Sequence, residues 1–188
     1  VDNHLEFRSG YEIHTGINFT KEGLIEDFDI FPSKSIVVPK STYDHMEAQL
    51  YYTSPPTSKI SFSVMNYIGG FFGGDRISSS PRLKIRFGDK FNSEISYNYN
   101  NVNLPGGNFI TYLSRSRLTY SFNPKMYIQA LLQYNNQSNE SFINWRFIIQ
   151  RSAASGLYVV YNQMEDYDGI PTKRNNTLIL KYSHLFDF

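Results

Sequence analysis

Apolar and polar residues alternate along most of this chain with a period of two, which places successive side chains on opposite faces of a β-strand. The pattern is sharpest in residues 177–188, TLILKYSHLFDF. There Leu178, Leu180, Tyr182, His184, Phe186 and Phe188 fall on one face, and Thr177, Lys181, Ser183 and Asp187 on the other, with Ile179 and Leu185 as exceptions. Earlier stretches repeat it. Residues 5–19 set Phe7, Tyr11, Ile13, Ile17 and Phe19 against Glu6, Arg8, Glu12, His14 and Asn18, and residues 42–53 set Met46, Ala48, Leu50 and Tyr52 against His45, Glu47, Gln49 and Tyr51. Ile60, Phe62, Val64 and Ile68 then oppose Ser61, Ser63, Met65 and Tyr67; Leu83, Ile85 and Phe87 oppose Arg82, Lys84 and Arg86; Ile95, Tyr97 and Tyr99 oppose Glu94, Ser96 and Asn98. The alternation resumes with Leu118, Tyr120 and Phe122 opposite Arg115, Arg117 and Thr119, and continues around Ile128–Tyr134, Ile143–Ile149 and Leu157–Tyr161. Helical periodicity is almost absent, and Gly, Pro, Asn, Asp and Ser clusters separate about ten predicted strands.

The strand pattern predicts connections that alternate in length. Those near 54–58, 88–91, 122–125 and 151–156 are short, and those near 20–41, 69–80, 100–110, 135–141 and 164–175 are longer. Short turns at one end of the strands, longer loops at the other, and a final apolar strand are the pattern of an outer-membrane barrel. The expectation is therefore an all-β, antiparallel up-and-down transmembrane β-barrel, one domain over residues 1–188, either a whole small barrel or the C-terminal part of a larger one. A soluble lipocalin-like barrel or β-sandwich binding protein carries the same alternation with its apolar face turned inward, and stands as an alternative.

Composition narrows the classes further. Fifteen Tyr and fifteen Phe against one Trp suit strands whose amphipathic rings sit at a membrane interface. No stretch of about 18 apolar residues is present, so no transmembrane helix is expected, whereas a barrel of alternating strands is compatible. The absence of cysteine removes disulfides, zinc–thiolate sites and thiol nucleophiles. A net charge of +1 without a basic stripe argues against nucleic acid as a partner. The chain opens on Val1 with nothing resembling a signal peptide, as a processed chain or a piece of a longer one would.

Two sets of residues are candidates for chemistry. Arg8, Glu12, Glu47, Lys84, Arg86, Glu94, Arg115, Arg117, Arg146 and Lys181 fall on the polar, lumen-facing side of the predicted strands. Buried charges must be paired or hydrated, so they either plug a narrow lumen with ion pairs or line a water-filled path that favours anions. At this strand count a filled lumen is the expectation. The second set is a rim site in which Asp44 and His45, or Asp166 and Asp168 of MEDYDGIP, activate water. Ser183 and His184 are strand neighbours pointing to opposite faces and form no dyad. The acidic run at Asp166 lacks calcium-loop spacing, and the glycines of YIGGFFGGD lack the lysine and helix of a phosphate loop, so neither metal nor other cofactor is expected.

The segments GDRISSSPRLKIRFGDKF, ISYNYNNVNLPGGNFITYLSRSRLTYSFNPKMYIQALLQYNNQSN and NWRFIIQRSAASGLYVVYNQ, followed by the closing strand, resemble the C-terminal barrel region of a Bacteroidetes-type envelope protein family of unassigned function. Leu104 through Arg146 is the most specific part, and QRSAASG departs from the arginine-proline-glycine turn usual there. The resemblance implies a bacterial outer-membrane location and a longer native chain, with a carbohydrate-binding-like β-sandwich preceding the barrel. The expected role is a membrane-embedded, porin-like scaffold, anchor or pore. Its partners would be outer-membrane lipid and lipopolysaccharide, other envelope proteins, and the barrel-assembly machinery, which would read Leu180, Tyr182, Phe186 and Phe188. A structural subunit of a larger assembly and a rim-located hydrolase are the alternatives within the same fold.

Overall fold

The computed structural model describes residues 2–151, 155–167 and 173–184. It is all-β, with no α-helix among the described residues. The strands are β1 (Asp2–Glu6), β2 (Glu12–Gly23), β3 (Phe28–Phe31), β4 (Ile36–Val38), β5 (Thr42–Thr53), β6 (Ile60–Phe71) and β7 (Gly74–Phe87). They continue as β8 (Phe91–Leu104), β9 (Gly107–Asn123), β10 (Met126–Asn135), β11 (Glu140–Gln150), β12 (Gly156–Asp166) and β13 (Lys173–Ser183). Eleven of them form one antiparallel sheet in the order β1-β2-β5-β6-β7-β8-β9-β10-β11-β12-β13, and β3 and β4 pair separately. β1 and β13 end this order with one neighbour each, so the ladder is open where the sequence reading expects it closed.

Other expectations are corrected by turns. Residues 5–19 are two strands, because Phe7–Tyr11 fold back as a tight turn: Gly10 N donates to Phe7 O at 2.7 Å and Gly10 takes φ +82°, a conformation that favours glycine. His4 is thereby paired opposite His14, and Arg8 lies in the turn, off any strand. The stretch 69–80 is strand: β6 runs to Phe71, and Phe72 (φ +47°) and Gly73 (φ +78°) make the two-residue left-handed turn that matches strand twist. Pro105–Gly106 likewise replaces the long loop expected at 100–110. The alternation of short and long connections therefore does not hold; among the described residues the long excursion runs from β2 to β5. An added β1 also brings the ladder to eleven strands, where about ten were expected.

Contacts divide the chain into two units, the described residues of Val1–Thr57, Ser61–Arg82 and Tyr97–Tyr112, and those of Ser58–Ile60, Leu83–Ser96 and Leu113–Phe188. In the first unit the β2–β5 excursion forms a small hairpin that packs on the sheet through three buried side chains. Its base is pinned by Leu24 N donating to Ser41 O at 2.8 Å and Lys40 N donating to Asp27 Oδ1 at 2.7 Å. A 3-10 turn over Pro32–Lys34, closed by left-handed Ser35, joins β3 to β4. Phe31, Ile36 and Val38 from this hairpin pack on Phe72, Val102, Leu104 and Phe109, with the Phe31 and Phe109 rings stacked at 4.8 Å. These seven are most of the buried hydrophobic residues described in the chain; Ala130 and Ile148 of the second unit complete the set.

The second unit is a run of hairpins, its register shifting once between Met126↔Asn123 and Tyr127↔Ser121 and then regular through Glu140↔Asp166 to Gly156↔Ser183. Asx turns set two of its connections: Lys125 N donates to Asn123 Oδ1 and Gln137 N to Asn135 Oδ1, each at 2.9 Å.

Candidate functional site

On β5 and β6 apolar side chains are the exposed ones and polar side chains the enclosed ones: Met46 is 53% exposed, Leu50 43% and Ile60 57%, whereas Glu47 is 8% and Ser61 7% exposed. β13 is exposed on both faces, Leu178, Leu180 and Tyr182 included. Of the ten charged residues read as lumen-facing, nine lie on strands and Arg8 does not.

In the first unit the polar face is anchored by Glu47 on β5 and Arg76 on β7. Arg76 Nε and Nη2 both donate to Glu47 Oε1, at 3.0 and 2.5 Å, and the guanidinium lies over the Phe71 ring, 4.2 Å from its centroid. Around this pair the face is hydrogen-bonded: Asn18 Nδ2 to Gln49 Oε1 at 3.1 Å, Ser78 Oγ to Asn100 Oδ1 at 2.8 Å, and Asn100 Nδ2 to Thr111 Oγ1 at 3.2 Å. Glu12 sits 3.5 Å from His14 Nε2.

In the second unit Lys84 Nζ and Glu94 Oε2 are 3.8 Å apart, and Arg86 Nη2 reaches Ser58 O at 3.5 Å. With the Gln133 amide turned so that its oxygen faces the guanidinium, Arg115 Nε and Nη2 both donate to it at 3.1 Å. Arg146 Nε donates to Asn144 Oδ1 at 2.7 Å, and Asn144 Nδ2 in turn to Asn162 Oδ1. Lys181 Nζ lies over Tyr158 at 6.0 Å, and Arg117 is exposed opposite Leu131. Each unit thus matches much of its charge locally, by ion pairs or amide oxygens; Glu47 is the buried member of the ten, and Lys84, Arg86, Arg115, Arg117, Arg146 and Lys181 are exposed.

The rim candidates are not brought together as the sequence suggests. Asp44 and His45 are neighbours on β5 and take opposite faces: exposed Asp44 pairs with Lys21 at 3.5 Å, while half-buried His45 packs against Phe71 and Phe72 with Nδ1 buried and unbonded. Asp166 ends β12 opposite Lys173. Asp168, with Phe186 and Phe188 of the closing motif, lies outside the described residues. Leu180 and Tyr182 stand exposed on β13, and the His184 ring is 6.3 Å from that of Tyr182.

Sequence reading missed three groupings. Arg76 was assigned to a loop because serines on both faces of DRISSS blur the alternation. His4 meets His14 only once Ser9-Gly10 is recognised as a turn. The third lies at the end of β12, where Lys173 to Thr177 on the facing strand are all polar. Glu165 accepts hydrogen bonds from Tyr167 Oη at 2.6 Å and Gln163 Nε2 at 2.8 Å and forms an ion pair with Arg174. These contacts tie the end of β12 to β13.

No family model, curated protein or solved structure matches this chain.

Proposed function

We propose that this chain is the membrane-embedded β-sheet of an outer-membrane protein, a scaffold or anchor whose polar face is occupied by paired side chains. Inverted burial on β5 and β6 carries the reading: Met46, Leu50, Ile60 and Ile68 are open to the surroundings while Glu47 and Ser61 are enclosed. In water, a contiguous apolar surface costs about 25 cal/mol per Å², and soluble monomers rarely expose patches beyond a few hundred Å². A bilayer removes that cost. The resemblance to a Bacteroidetes-type envelope family points the same way and makes the chain part of a longer protein inserted by the barrel-assembly machinery, in contact with outer-membrane lipid and lipopolysaccharide.

The proposal includes closure. A lipid-exposed strand edge leaves amides and carbonyls unbonded, so the free edges of β1 and β13 must be paired in the membrane. Eleven antiparallel strands put the first and last parallel to each other, as in odd-stranded mitochondrial barrels. Fractionation is the first test: the protein should resist carbonate extraction, require detergent, and migrate differently in electrophoresis before and after heating. Recovery as a detergent-free soluble monomer would overturn the reading. A structural subunit is the second reading, favoured by the eleven-residue outer edge of β13. The chain has no native cysteine, so paired cysteines placed on β1 and β13 separate the two. Crosslinks within one chain support closure, and crosslinks between chains support assembly.

A further inference from the structure

We propose that the β1–β2 hairpin carries a binding site for a divalent transition-metal ion of the zinc class, with His4, His14 and Glu12 as ligands. The turn at Phe7–Tyr11 sets the register that makes the site. His4 is paired directly opposite His14, and Glu12 precedes His14 by two residues, so all three side chains leave the same face of the hairpin. One donor atom from each lies within 4.8 Å of the other two. Donors bound to one zinc ion at 2.0–2.1 Å stand about 3.4 Å apart in a tetrahedral shell. Rotamer adjustments on an exposed hairpin cover the difference without moving the backbone.

A second observation is independent of the clustering. His14 Nε2 is buried and makes no hydrogen bond; its nearest charged neighbour is Glu12 Oε2 at 3.5 Å. An imidazole nitrogen withdrawn from water should find a partner, and a metal ion shared with Glu12 supplies one. The ring is already oriented: His4 stacks on it at 3.8 Å between centroids, and Tyr51 meets it edge-on at 5.3 Å. Two imidazoles and one carboxylate form a donor set suited to zinc, with copper(II), nickel(II) and iron(II) as chemical competitors. Glu6 stands opposite Glu12 on the same face, placing a further carboxylate beside the open coordination position.

The ion would act as a clip. β1 has five residues, all exposed, and is held along one edge only. A bond from His4 through the metal to His14 would fix it on β2. This inference rests on three side chains of one hairpin and does not depend on the membrane reading.

The test is zinc competition against a chromophoric chelator, using chelator-stripped full chain, with far-UV circular dichroism as the folding control. One equivalent of zinc should bind, weakened at least about tenfold by His4→Ala, by His14→Ala and by Glu12→Gln, while His45→Ala binds as the parent does. Cobalt(II) gives a second readout: the parent should develop visible ligand-field absorption that His4→Ala lacks. No saturable zinc binding, or binding unchanged in the His4→Ala/His14→Ala double variant, would overturn the proposal.

Discussion

Replacing Glu47 with Ala puts the polar face to its most direct test. The Glu47 side chain is 10% exposed and that of Arg76 25%, and two hydrogen bonds join them. Removing one member of a buried pair costs about 3–5 kcal/mol, because the remaining charge stays enclosed without compensation. Here the remaining guanidinium keeps a quarter of its surface in contact with solvent and lies on the Phe71 ring at 4.2 Å. A cation–π contact retains about 0.5–2 kcal/mol of its stabilisation. The loss expected for Glu47→Ala is therefore about 2–4 kcal/mol. Arg76→Ala strands the carboxylate and should cost a similar amount, but the double variant leaves no stranded charge and should cost less than the sum of the two. The assay is urea unfolding of the four proteins of the cycle in one detergent, with coupling of at least about 1.5 kcal/mol expected. Coupling below about 0.5 kcal/mol would refute the reasoning, since the two side chains would then act as independently solvated groups.

Three further outcomes are expected. Phe31→Ala removes the ring stacked on Phe109 in the buried cluster under the β3–β4 hairpin and should destabilise the first unit by about 3–5 kcal/mol, seen as faster proteolysis between Leu24 and Ser41. Leu180→Arg, on an exposed side chain, should cost about 2–4 kcal/mol in lipid vesicles if that position lies near the bilayer midplane; an unchanged stability in lipid would contradict a membrane-facing β13. Glu165→Gln removes the ion pair with Arg174 and weakens the hydrogen bonds from Tyr167 and Gln163, so amide exchange near Asp166 and Lys173 should accelerate relative to the parent.

The strands that alternate cleanly were legible in the sequence. From Leu118 through Ile149 the residues assigned to opposite faces do alternate along β9, β10 and β11, because a strand reports its two faces through its own side chains. The paired charges were legible only in part. Lys84 and Glu94 were read as facing one way, but the Arg76 that binds Glu47 was hidden among serines. Turn geometry was the weakest signal. The glycines of GGFFGGD and NLPGGN suit flexible or tight loops alike, and the connections expected over 69–80 and 100–110 are the two-residue turns Phe72-Gly73 and Pro105-Gly106, which let the flanking strands run on.

By itself the sequence determined an all-β chain, the division of each strand into an apolar and a polar face, and the absence of any cysteine chemistry. Those properties follow from residue type and a period of two, which are local. Tertiary structure alone decided that 2–23 is a hairpin, that Phe31, Ile36 and Val38 of the 24–41 excursion are buried on Val102, Leu104 and Phe109, and that the ladder leaves β1 and β13 as edges. It alone placed Arg76 on Glu47 and His4 on His14. Each of these depends on which strands pair and in what register, a choice made by contacts between residues distant in sequence, which the pattern within any one strand does not carry.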